Sequence, residues 1–197
     1  MSDPLTTLFD ATLPPIIASS AARAVACRFP GFCEAVAAPF DAVKEAAGSE
    51  AAAVLSAVRS AASALLLARV RSEPILTSWP RLLEYLHAVM ARERCEQVRV
   101  VFLDSRNRLI ADDVLWTGTP THAPTYPREI ARRALLLDAT AAILAHNHPS
   151  GDPTPSREDI AMTHEVKAAL TALGIALHDH VIVGASATFS FRQEGLL

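Results

Sequence analysis

Apolar residues recur at helical spacing to about Arg92, across a boundary at Ser72-Glu73-Pro74, and then change period, and that order limits what the chain can become: a helical segment followed by a mixed α/β region. Before Pro74 the sequence is alanine-rich. Within residues 50–70, Val54, Leu55, Val58, Ala62, Leu65 and Leu66 recur at helical spacing. Shorter helices precede it, separated at Pro30-Gly31 and at Gly48-Ser49. Pro74 interrupts the pattern. Ser78 then precedes a helix from Trp79 to about Arg92, with Pro80 in the first turn, where a missing N–H has no helical partner to lose.

From Val98 the pattern is that of strands. Residues 98–103 are β-branched and apolar, as in a buried strand. Asp104-Ser-Arg-Asn107 has turn composition, and residues 109–116 form a second strand. A loop and an irregular stretch lead to Tyr126, and Pro127 opens a helix to about Leu137. A short apolar strand covers 140–145, a proline-rich loop 146–155, and a helix 156–173 that ends at Gly174. Residues 175–183 and 188–191 close the sequence as strands. The order α-β-β-α-β-α-β-β predicts a mixed sheet with helices packed on it, in a domain of residues 75–197 behind a small all-α region of residues 1–74.

Hydrophobic residues make up 51% of the chain, which supplies a core and excludes wholesale disorder. The net charge of −3 provides no general basic field for holding nucleic acid by counterion release. Arg128, Arg132 and Arg133 are the local exception, and they read as a solvated helix face rather than a phosphate site. Cys27, Cys33 and Cys95 lack ligand-like spacing and imply no disulfide framework, which favours a reducing compartment. The N-terminus carries Asp10 before any basic residue, and Pro14-Pro15 break its apolar stretch. No apolar run is expected to approach the ~20 residues that span a bilayer. The expectation is a cytoplasmic protein with no membrane partner.

Chemistry concentrates in AHNHPSGDPTPSRED, residues 145–159. His146 and His148 lie two apart at a strand end, where i and i+2 side chains share a face and both imidazoles can reach one ion. The loop reverses the chain, and Asp159 falls in the first turn of the next helix. Two histidines and a carboxylate, with one position left open, form the pattern of a catalytic zinc site. Asp159 also fits a capping box with Ser156, and capping alone would explain that spacing. Asp152 reads as a turn residue or a rival ligand. His178-Asp179-His180 repeats the i, i+2 spacing inside a strand and reads as a structural or supporting element, with Asp179 a natural acceptor for a ligand histidine's second N–H. His87 and His164 need no special role. His122 lies in a loop that could approach the site.

The segment HNHPSGDPTPSREDI resembles the signature of the bacterial RadC family, within the JAMM (MPN/JAB) metallo-isopeptidase superfamily. VVFLDSRNRLIADDVLWTGT, YPREIARRAL and GIALHDHVIVG flank it in the matching order, so the resemblance covers roughly residues 75–197. It implies a cytidine deaminase-like three-layer fold, a mixed sheet flanked by helices. It implies that His146, His148 and Asp159 ligate Zn2+. Glu96 would move a proton from the attacking water to the leaving amine, and Ser156 would donate to the oxyanion. The implied substrate is a peptide or isopeptide of unknown identity. Members carry an N-terminal helix-hairpin-helix module with a Gly-x-Gly hairpin; here only Gly48 stands in the corresponding region, which speaks against nucleic-acid binding through it. Three readings stay open: a zinc metallohydrolase, a non-enzymatic MPN-fold scaffold, and a DNA-repair-associated binding protein. A homodimer through the alanine-rich helices is open as well, because small residues permit close helix approach.

Overall fold

The computed structural model describes residues 3–118 and 126–197. The chain divides into two compact units, Met1–Leu65 and Leu66–Leu197. His122 and most of the irregular stretch before Tyr126 lie outside the described residues.

The first unit is helical: α1 (Pro4–Thr12), α2 (Pro15–Arg28), α3 (Phe32–Ala37), α4 (Phe40–Ala47) and the larger part of α5 (Ser49–Arg71). Asp3 caps α1 by accepting from the Thr6 N–H. Leu5, Phe9, Leu13, Val25, Val43 and Leu55 meet in a core whose other buried residues are alanines, among them Ala21, Ala22, Ala51 and Ala52. Gly48 links α4 to α5 at a φ of 90°, which a glycine adopts without strain. The expectation about apolar length is corrected here. The stretch Phe40–Arg71 is long and apolar enough, by length and composition alone, to cross a membrane. Its alanines sustain an apolar window without adding bulk. Length and composition do not distinguish a membrane span from the core helix of a soluble protein.

The second unit is a five-stranded mixed sheet ordered β2-β1-β3-β4-β5. Its strands are β1 (Gln97–Leu103), β2 (Leu109–Thr117), β3 (Ala141–Asn147), β4 (Ala176–Val183) and β5 (Thr188–Ser190). The β1–β2 turn forms as its composition predicts: Asp104 Oδ1 accepts from the Arg106 and Arg108 N–H groups, and Asn107 takes a φ of 58°. β3 is buried along its whole length, antiparallel to β1 and parallel to β4. The β3–β4 crossover carries α8 (Arg157–Thr171), and α6 (Trp79–Met90) and α7 (Pro127–Leu136) complete the unit.

Alternation along the strands sorts the core onto two faces. Val98, Val100, Phe102, Ala142 and Leu144 pack with Ile130 and Ala134 of α7 and Val166 and Leu170 of α8. Val101, Leu103, Ile143, Ala145 and Val181 pack with Leu82, Leu86 and Met90 of α6. The result is the expected three-layer α/β architecture, with helices on both faces of a mixed sheet.

Candidate metal centre

The site forms at the carboxyl end of β3. His146 is the strand's penultimate residue and is fully buried, while His148 has just left the strand and is partly exposed. Three backbone bonds hold the loop that follows. The His148 N–H donates to Val183 O at 3.0 Å, the Gly151 N–H to His148 O at 2.9 Å, and the Ala185 N–H to Gly151 O at 3.0 Å. Gly184 permits this approach, because a Cβ there would lie 2.5 Å from Gly151 O. Asp152 is a turn residue: its carboxylate accepts from Thr154 N–H and Oγ1. Its carbonyl accepts from His148 Nδ1 at 2.8 Å, so that proton sits on Nδ1 and Nε2 keeps a lone pair for a ligand.

The proline-rich loop returns the chain to Ser156, the N-cap of α8. The capping box is complete: Ser156 Oγ accepts from the Asp159 N–H at 3.1 Å, and Asp159 Oδ2 accepts from the Ser156 N–H at 2.7 Å. The same carboxylate faces the histidines, with Oδ1 3.1 Å from His146 Nε2 and Oδ2 3.5 Å from His148 Nε2. Capping and approach to the histidines therefore coexist in one side chain. Ser156 Oγ also donates to Asp159 Oδ2 at 2.6 Å, so its single hydroxyl proton is committed to the cap in this arrangement.

Glu96 arrives from a distant part of the sequence through strand register. Val98 pairs with His146 in antiparallel β1–β3, so Glu96, two residues earlier, comes level with His148. Ligand atoms of Glu96, His146, His148 and Asp159 all lie within 4.8 Å of one another. Around a tetrahedral ion with bonds of about 2.0–2.1 Å, ligand atoms stand about 3.3 Å apart. His146 Nε2 and His148 Nε2 are 2.9 Å apart, and their separations from Asp159 bracket the same value. The donor set and its spacing fit a divalent metal.

Electrostatics agree. Burial pushes the Asp159 carboxyl up, but bonds to His146 and His148 outweigh it and hold the group far below the usual carboxylate range. The hydrogen bond to Asp159 raises His148 above the ordinary imidazole value despite burial.

Three residues outside the candidate ligand set support the site: Asn147 and Thr163, to which sequence reasoning gave no role, and His180, which it read as a structural or supporting residue. Asn147, between the two histidines, accepts from the Gln97 N–H at 2.8 Å and donates to Cys95 O at 3.2 Å and Glu93 O at 3.4 Å. It ties the segment carrying Glu96 to the strand that leads into His146 and His148. Asn147 is nearly inaccessible, and such a side chain must find partners, but that burial follows from strand pairing and left no signal in the sequence. The other two are His180 and Thr163, both fully buried behind His146. His180 Nε2 lies 2.7 Å from His146 Nδ1, and His180 Nδ1 lies 2.6 Å from Thr163 Oγ1.

Asp179 does not serve as the acceptor for a ligand histidine. Its oxygens take the Ser190 hydroxyl and the N–H groups of Arg192 and His180. The cause is a β-bulge: Ala142 pairs with Leu177 but Ile143 with Asp179, so His178 is an extra residue. It breaks the i, i+2 relation between His178 and His180. His178 turns to Asn107 Oδ1, and together with Asp179, Leu76, Trp79 and Arg192 it lines a cavity of about 430 Å³ away from the ligands. The other candidates are ordinary. Arg132 pairs with Glu129 and Arg133 with Asp113, His87 bonds to Ala185 O, and all three cysteines are free.

Residues 76–196 match the family of RadC-like JAB domains. A UPF0758 protein of Rhodobacter capsulatus is 56% identical over 133 residues, 68% of this chain and 62% of the relative. A UPF0758 protein of Ruegeria pomeroyi is 55% identical over 130 residues, 66% of this chain and 58% of the relative. The chain thus spans less than two thirds of the length of these relatives.

Proposed function

The chain belongs to the RadC-like JAB domain family, and on that premise we propose that it is a zinc-dependent hydrolase of amide bonds, peptide or isopeptide. The convergence of Glu96, His146, His148 and Asp159 to within 4.8 Å carries the reading. His146, His148 and Asp159 would hold the ion, leaving one coordination position for the reaction, as catalytic zinc sites do. Bound there, zinc supplies Lewis acidity and makes water a usable nucleophile at neutral pH. Glu96 takes the proton of the attacking water and returns it to the leaving amine. Ser156 serves the oxyanion only after its hydroxyl turns out of the helix cap; the capping bond from its backbone N–H to Asp159 keeps the carboxylate in place meanwhile. The commitment of that hydroxyl is the observation favouring the scaffold reading, in which the fold and ion persist without turnover.

The test combines metal analysis with hydrolysis of a panel of peptide and isopeptide-linked substrates, using wild type, His148→Ala and Glu96→Gln. About one zinc per chain, lost in His148→Ala, with turnover abolished but zinc retained in Glu96→Gln, is the expected result. A folded wild type that takes up no zinc overturns the metal reading. Zinc without any turnover that depends on Glu96 leaves the scaffold.

A further inference from the structure

His180 is not part of the ligand set, yet its ring lies between the ligand His146 and Thr163 in an unbroken chain of polar contacts. The direction of every proton in that chain follows from one fixed end. Thr163 Oγ1 lies 2.6 Å from the Asp159 backbone carbonyl, which can only accept, so the single hydroxyl proton points there. Thr163 Oγ1 can then only accept from His180 Nδ1, at 2.6 Å. A neutral imidazole with its proton on Nδ1 has a bare Nε2. That nitrogen must accept from His146 Nδ1, at 2.7 Å. His146 then has its proton on Nδ1 and a bare Nε2, the atom that faces His148 and Asp159.

From this chain we infer that His180 is a positioning residue that holds His146 in its metal-binding tautomer, and that Thr163 sets His180 in turn. The inference rests on the reading of the site as a metal centre. The opposite tautomer of His146 would place a proton on Nε2, where Asp159 Oδ1 waits 3.1 Å away to accept it. Without His180 that tautomer gains the carboxylate and loses nothing, and an incoming ion must displace the proton. His148 meets the same requirement differently, through a backbone carbonyl. Packing holds the His180 ring in register: it stacks on Phe191 with centroids 4.6 Å apart. The β-bulge at His178 puts His180 level with Leu144, on the face that also carries His146.

The experiment uses metal-stripped full chain titrated with Zn2+ against a chromophoric chelator, together with 15N-detected ring shifts of His146 in the metal-free protein. The variants are Thr163→Val, Thr163→Ser, His180→Leu and His180→Gln. Loss of a partner behind a metal-bound histidine typically weakens metal affinity about 10–100-fold. That loss is expected for His180→Leu and Thr163→Val. Thr163→Ser, which keeps the hydroxyl, and His180→Gln, which can offer an oxygen near the Nε2 position, should recover most of the affinity. In the ring shifts, the His146 proton should sit on Nδ1 in wild type and move to Nε2 in the Leu and Val variants. Tryptophan fluorescence establishes that each variant is folded. Folded Leu and Val variants with wild-type affinity and an unmoved Nδ1 proton overturn the inference. A wild type that binds no zinc overturns the hydrolase reading instead, and the ring shifts of the metal-free protein then still decide the tautomer relay.

Discussion

Replacing Asn147 with alanine should separate the tether of Glu96 from the metal site itself. The amide makes two well-formed bonds, to the Gln97 N–H at 2.8 Å and Cys95 O at 3.2 Å, and a longer one to Glu93 O at 3.4 Å. Each ordinary bond contributes about 0.5–1.5 kcal/mol, and a buried donor left without its acceptor costs about 1–3 kcal/mol. The groups left without a partner are the Gln97 N–H at the start of β1 and the Cys95 carbonyl, both in half-buried residues that water reaches in part. The expected loss for Asn147→Ala, two ordinary bonds, is therefore about 1–3 kcal/mol. Both tryptophans, Trp79 and Trp116, lie in the unit Leu66–Leu197, so urea unfolding followed by their fluorescence reports on this unit. His146, His148 and Asp159 keep their own supports, so zinc binding should survive while any turnover depending on Glu96 falls. A stability change under about 1 kcal/mol, or zinc lost as completely as in His148→Ala, would refute the assignment of Asn147 as a tether.

Two further outcomes follow from the electrostatics. Because Asp159 raises His148 above the ordinary imidazole value, a proton and a metal ion compete for its Nε2. Zinc affinity should weaken as pH falls, and the decline should begin above about 6.5, the unperturbed imidazole pKa. A flat affinity between about pH 6 and 8 contradicts that coupling. Away from the site, Arg99 pairs with Asp112 at 2.6 Å in near-complete burial, with Tyr85 bonded to the same carboxylate. Asp112→Ala leaves the guanidinium uncompensated and should cost about 3–5 kcal/mol by the same fluorescence assay; a loss below about 1 kcal/mol would mean water replaces the carboxylate.

Local chemistry was legible in the sequence wherever the determinants were close along the chain. The break at Pro74, the change of period before Val98, the Asp104–Asn107 turn, the helix start at Ser156 and the grouping of His146 and His148 all depend on contacts within a few residues. Even the two readings of Asp159 were open together, and the structure shows its carboxylate completing the capping box while lying 3.1 Å from His146 Nε2. Residue-level reasoning did not bring in Glu96; only its resemblance to a known family did, since fifty residues of chain separate it from His146 and strand register alone closes the gap. The role of Asn147 depends on the same register. For His178-Asp179-His180 a supporting role was legible but the geometry was not, since simple alternation put both histidines on one face. One extra residue in β4, set by its pairing with β3, reversed that alternation and placed His180 behind His146. Period and turn chemistry are properties of neighbours in sequence, whereas register and bulges are properties of strand pairs, and they come into being only when the sheet assembles.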